Sequence, residues 1–262
     1  MTTTTTGGTV KTGKAGPVTI LTLCYPERRN ALSLPLRAVL LEAMQAALAD
    51  EDCRVVVITG EGAHFSSGGD ISSFDGVTPV SGRLRMQRVQ QIMRMIIRGE
   101  KPVIAAVEGY AAGAGLCLAA ACDMVVASEE AKFSCTFNKI GLFPDLAGAW
   151  SLPLRMGLGR AKMLMMSGRV LDAATAEAQG LVDQVVPAGQ ALAQALELAQ
   201  AVAKTAPLSN GLIKAVLARG PSSLEEVMAA EADAQGILYG SDDFEEGRHA
   251  FLEKRPSQFK GC

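Results

Sequence analysis

Two rhythms of apolar residues run along this chain. Val18 to Leu23 alternates apolar positions with Thr19 and Thr22, the period of a strand with one face buried. Arg54 to Thr59 is instead an unbroken β-branched run closed by Gly60, the pattern of a strand covered on both faces. Val103 to Val107 repeats it and breaks at Glu108-Gly109, and Met124 to Ala127 gives a shorter version. Between these runs the period lengthens. After Ser33, a candidate N-cap, Leu36, Leu40, Met44 and Leu48 recur every fourth residue, the stripe of a core-facing helix. Arg83 to Arg98 repeats the helical period, with Leu84, Val89, Ile92, Met93, Ile96 and Ile97 on one side and arginines on the other. Strand, helix and strand in alternation predict an α/β structure with parallel pairing.

From Gly159 onward helical patterns dominate: Arg160 to Ser167, Asp172 to Gln179, Ala188 to Lys204, Leu208 to Arg219, and Ser222 to Leu238, the last opened by a serine with Glu225 three residues on. The expected organisation is a disordered, solvated tail over residues 1–16, an α/β core over 17–200 and a helical C-terminal region over 201–262. No repeat of fixed period interrupts this plan.

Composition narrows the functional classes. With 262 residues, 48% of them hydrophobic, the chain can bury a large core. A formal net charge of −2 supplies no basic field for nucleic acid, and every apolar run stops short of a membrane span. The six cysteines form no CxxC pair and most sit in apolar runs, which predicts buried, reduced thiols in a cytoplasmic protein and no zinc site. The N-terminal stretch has no hydrophobic segment of the secretory kind.

Two glycine-containing loops carry the candidate chemistry. FSSGGDI (residues 65–71) follows one strand, and Gly113-Ala114-Gly115 follows another and opens a helix. At a helix start the first N–H groups lack intrahelical partners and attract negative charge. If one sheet brings both loops to the same edge, two converging amides make an oxyanion hole; the competing explanation is tight helix-on-sheet packing. The chain has no GxSxG elbow, no HExxH and no GxxxxGK[ST], and its two histidines are His64 and His249.

FSSGGDI, then KPVIAAVEGYAAGAG, then AKFSCTFNKIGLFPDLAGAW, in that order, resemble the enoyl-CoA hydratase/isomerase (crotonase) superfamily. The similarity runs from about Val18 to the ending DFEEGRHAFLEKRPSQFKG. It implies a crotonase-like spiral of ββα turns with a helical C-terminal trimerisation region, assembled as a homotrimer or a dimer of trimers. An acyl-CoA thioester is the implied substrate, its carbonyl held by the amides of Ser67 and Ala114. The resemblance further implies that Arg28, Arg29, Ala31, Gly68, Asp70, Ile71, Gly113 and Phe137 contact substrate or CoA, with Phe251 and Lys254 reaching it from a neighbouring subunit. No metal and no cofactor beyond the substrate's own coenzyme A is implied.

The departures from the family pattern are the more informative part. Hydratases of this family use two glutamates to add water, and the matching positions here are Cys117 and Phe137, neither of which can act as a carboxylate. One acidic residue remains nearby, Asp145 in GLFPD, whose local alternative is an N-cap after proline. The GLFPD run and the C-terminal ending are similar to the ring-1,2-epoxyphenylacetyl-CoA isomerase and enoyl-CoA isomerase branch, where a lone carboxylate faces the acyl chain. The expectation is an isomerase with Asp145 as its single base, made stronger by the apolar neighbours Phe137, Phe143, Leu146 and Trp150. The alternatives are an enoyl-CoA hydratase, an acyl-CoA hydrolase or dehalogenase with a nucleophilic aspartate, and a non-catalytic CoA-binding homologue.

Overall fold

The unbroken apolar runs sit in the middle of a sheet, where each strand has two faces to bury. The computed structural model describes residues 7–220 and 223–262. In β3 (Val55–Gly60; preceded by β1, Thr9–Ala15, and β2, Val18–Cys24), Val56 and Ile58 join the larger hydrophobic cluster while Val55 and Val57 face a second one. β4 (Val103–Val107) divides in the same way: Val103, Ala105 and Val107 on one side, Ile104 and Ala106 on the other. This period-two partition is why neither strand alternates in sequence.

The large sheet has the order β1-β2-β3-β4-β6-β9, with β6 at Met124–Ser128 and β9 at Gln184–Val186. Every neighbouring pair from β2 onward is parallel. A smaller sheet joins β5 (Tyr110–Ala112), β7 (Lys132–Ser134) and β8 (Val170–Asp172). The chain steps from β4 to β5 and from β6 to β7, so consecutive strands alternate between sheets in a spiral.

The larger cluster holds the buried stripes of α1 (Leu34–Ala49) and α2 (Pro79–Arg98) and all of α3 (Ala114–Ala121) except its glycine. Ser33 caps α1, its Oγ accepting from the Leu36 N–H at 3.2 Å. Leu84, placed by its spacing on the buried side of α2, is instead 53% exposed, and the apolar stripe begins only at Met86. On the sheet's other face lies α7 (Ala191–Ala203; after α4, Gly148–Met156, α5, Leu158–Ser167, and α6, Ala173–Ala178). Ala191, Ala195, Ala199 and Ala203 of α7 recur every fourth residue and are all buried, so a smooth alanine face lets the helix lie close on β3 and β4. α8 (Pro207–Leu217), α9 (Leu224–Leu238) and α10 (Asp242–Glu253) complete the chain.

Three sequence expectations need correction. Thr9–Ala15, expected within a disordered tail over residues 1–16, is an antiparallel edge strand paired from Thr9↔Cys24 to Ala15↔Val18. Its polar composition hid it: an edge strand with mostly exposed side chains needs no apolar alternation, and outward lysines suit an open edge. Residues 1–6 of that tail lie outside the described residues. The boundary drawn between 200 and 201 cuts α7, whose alanines belong to the core, so the helical region begins with α8 at Pro207. The cap of α9 is Ser223, which accepts from the Glu226 N–H; Ser222, the cap expected, lies outside the described residues.

Candidate active site

The site begins where α3 meets the loop after β3. Ser66 bridges β5: its N–H donates to Tyr110 O at 2.9 Å and its carbonyl accepts from Ala112 N at 3.0 Å. A Cβ on Gly115 would stand 2.6 Å from Ser66 O, so only glycine lets the helix start this close to the loop. Gly68, at φ +101°, makes the reciprocal approach, with a Cβ position 2.7 Å from Ala112 O and 3.3 Å from Ala114 N. Tight packing at these two glycines brings the two loops side by side.

Which amides remain free differs from the expectation. The Ser67 N–H is engaged, donating to Arg29 O at 2.9 Å, while its Oγ donates to Arg28 O at 2.9 Å. Two residues on, the Gly69 N–H has no acceptor among the described residues, and neither has the Ala114 N–H at the first position of α3. Gly69 and Ala114 therefore offer two donors side by side in the loop and at the helix start, and Ser67 ties its loop to the Arg28-Arg29 turn. No sequence signal says which of two small residues of one loop keeps its N–H free; the register of the Leu32↔Gly69 bridge decides it.

Gly69 and Ala114 line a cavity of ≈ 660 Å³ whose other walls include Ile71, Phe74, Met86, Phe137 and Phe143. Asp145 is in the same lining and, among the described residues, is the only carboxylate there. It caps no helix: the cap position of α4 is Ala147. Leu146 and Ala147 both take left-handed backbone (φ 48° and 58°), a conformation that costs about 1 kcal/mol or more for such residues. The buried Leu146 side chain holds that turn and so fixes Asp145 at the cavity wall. Trp150, expected beside Asp145, lines a different cavity, on the far side of α4.

Asp145 faces two cations the sequence reading missed. Arg37, buried on α1, places Nη2 3.8 Å from Asp145 Oδ2 and donates from Nε to Leu32 O at 2.8 Å. Arg85 of α2 lines the cavity too, stacks over Phe74 at 4.8 Å, and gives Nη1 and Nη2 to Ser73. Burial pushes the Asp145 carboxyl above its ordinary 3.8, with Arg37 and then Arg85 pulling it back. Asp145 Oδ1, Arg37 Nη1 and Arg85 Nε are buried without a hydrogen-bond partner among the described residues. An arginine at the fourth position of an otherwise apolar helix stripe was the available signal for Arg37.

The remaining expected residues scatter. Gly68, Gly113 and Phe137 line the cavity, and Ile71 does so while 65% exposed. Asp70 turns its carboxylate to Ser72, accepting from that residue's N–H and Oγ. Arg28 and Arg29 are exposed on the turn tied to Ser67, and Ala31 is buried beneath it. Phe251 and Lys254, on and just after α10, are exposed and do not line this cavity. Cys117 is fully buried with its Sγ against Gly148, outside the lining. His64 accepts from the Tyr110 N–H at 3.3 Å, a structural contact.

A larger cavity of ≈ 870 Å³ lies between the end of α3, α4, α7 and α8, but its Asp123 is ion-paired with Lys214 and its Arg155 with Asp183. Among the described residues no group of three or more His, Cys, Asp or Glu is placed to hold a metal, and no helix is long and apolar enough to cross a membrane.

A two-sheet spiral with a glycine-opened helix packed beside the loop after β3 is the crotonase fold. The chain belongs to the enoyl-CoA hydratase/isomerase family, whose model matches residues 13–262. It is 36% identical to the 1,2-epoxyphenylacetyl-CoA isomerase of Escherichia coli K12 over 93% of this chain and 95% of that one. Identity is also 36%, with the same two shares, to the 2,3-dehydroadipyl-CoA hydratase of that organism. The crystal structure of an enoyl-CoA hydratase from Polaromonas sp. JS666 superposes with a TM-score of 0.92 at 38% identity, covering 96% of this chain and all (100%) of the other.

Proposed function

We propose that this enzyme isomerises an unsaturated acyl-CoA thioester with Asp145 as its single base. One observation carries the reading: the cavity shared by the free Gly69 and Ala114 amides has one carboxylate in its lining, and it is Asp145. The two positions that match the hydratase glutamates hold a buried thiol, Cys117, and a phenyl ring, Phe137.

The thioester oxygen accepts from Gly69 N–H and Ala114 N–H. Asp145 removes a proton from the acyl chain, the electron pair flows into the thioester as an enolate, and the two amides stabilise the charge as it forms. One such donor contributes on the order of 3 kcal/mol. Asp145 then returns the proton to a different carbon, so the double bond moves with no net oxidation and no added atoms. A carboxyl pushed up by burial is a better base than one in water, and Arg37 draws it part of the way back down. In this reading CoA runs past the Arg28-Arg29 turn and Ile71, and Phe251 and Lys254 contact it from a neighbouring subunit of a trimer or of a dimer of trimers.

The test is a pair of assays on the purified protein, hydration of crotonyl-CoA against isomerisation of a 3-enoyl-CoA. Isomerisation should dominate. Efficient hydration with little isomerisation sinks the proposal.

A further inference from the structure

Arg37 is the least expected residue in the site. It is 7% exposed, set in a helix face that is otherwise leucine, methionine and alanine. Its guanidinium stands between the oxyanion loop and the base: Nη2 is 3.6 Å from where a Gly69 Cβ would lie and 3.8 Å from Asp145 Oδ2. At 3.8 Å it pairs electrostatically with the carboxylate but is too far for a hydrogen bond. Nη1 has no acceptor among the described residues, and across the same cavity Arg85 Nε is buried and likewise without one.

A buried guanidinium N–H without an acceptor is costly, and a ligand that brings an oxygen offsets that cost. The thioester oxygen is not the natural candidate, since Gly69 and Ala114 already supply the two donors its lone pairs take. A plain hydrocarbon chain would leave Arg37 Nη1 and Arg85 Nε unpaired in an apolar pocket. We infer that the substrate's acyl group carries a hydrogen-bond-accepting oxygen of its own, received by Arg37 with Arg85 as second donor. Arg37 thus selects an oxygenated acyl-CoA over a simple fatty acyl-CoA. This rests on the reading that the cavity holds the acyl chain of a CoA thioester.

Binding separates this inference from the isomerase proposal, because it needs no turnover. Three saturated acyl-CoA thioesters of equal chain length are titrated by calorimetry: one plain, one with a hydroxyl on C4 or beyond, one ending in a carboxylate. The wild-type protein should bind one of the oxygenated thioesters about tenfold to a hundredfold more tightly than the plain one. Whichever of the two gains identifies a neutral or an anionic oxygen. In Arg37→Met that preference should collapse toward equal affinity. Equal binding of all three by the wild type overturns the inference, as does an Arg37→Met variant that weakens all three by one factor, which would assign Arg37 to the thioester. Should Arg37→Met fail to fold, the wild-type ratio still decides, and Arg85→Met supplies the second variant. Absence of isomerisation alongside a retained preference would refute only the proposed reaction.

Discussion

Two aspartates in this protein sit beside a buried cation, and they are treated in opposite ways. Asp123, at the turn between α3 and β6, receives the Lys214 ammonium at 2.6 Å and the Val103 N–H at 2.7 Å, and Lys214 also donates to Lys101 O at 2.8 Å. Asp145 has Arg37 at 3.8 Å and an unpartnered Oδ1. Burial raises both carboxyls and a neighbouring cation opposes it in both, so direction of shift does not distinguish them. Hydrogen-bond saturation does. A satisfied pair joins α8 to the end of the core, whereas an unsatisfied one faces a cavity with capacity left for a ligand.

The largest effect that can break this contrast is on activity. Asp145→Asn should lower isomerase kcat by about 10²- to 10⁴-fold, measured on a 3-enoyl-CoA, while thioester binding persists. A near-wild-type rate would remove Asp145 from the chemistry. The same variant also carries a stability signature. The folded-state pKa of Asp145 is raised, so ionising it weakens the native state as pH climbs from about the unfolded value of 3.8 through the folded one. The Asn variant should therefore melt slightly higher at pH 7, the advantage shrinking as the buffer is acidified toward that lower bound.

Next comes the opposite partner of the comparison. Asp123→Ala leaves the Lys214 ammonium buried without its counter-ion and should cost about 3–5 kcal/mol in denaturant unfolding. The folded fraction should keep its kcat. If Asp123→Ala unfolds no more easily than wild type, saturation is not what makes that pair structural.

The smallest effect sharpens the role of Arg37. Its charge pulls the Asp145 carboxyl down, so Arg37→Met should move the acid limb of the kcat/KM profile to higher pH. A limb that stays in place would show that the two side chains are not coupled.

Much of the scaffold was legible because burial on one or two faces leaves a period in the sequence. The runs at Val55, Val103 and Met124 and the stripe of Leu36, Leu40 and Met44 became strands and a helix at nearly the expected bounds. The three-residue strands β5, β7, β8 and β9 span too few residues to show a period. β1 left no trace because its side chains are mostly outside the core and its order comes from pairing with β2. In the site, Ala114 and Asp145, both named through the family resemblance, lie in one cavity lining. The engaged Ser67 N–H was not legible, since which amide of a loop is free depends on the Arg28-Arg29 turn behind it, a partner distant in sequence.

The sequence alone thus determined the layered α/β plan, the family and the loss of both family glutamates, all of which are properties of residue identity and local period. Only the folded chain decided that Gly69 and not Ser67 offers its N–H, that Arg37 of α1 faces Asp145, and that three polar atoms there stay unpartnered. Hydrogen-bond saturation is a relation between segments tens of residues apart, and no local pattern encodes it until packing brings those segments together.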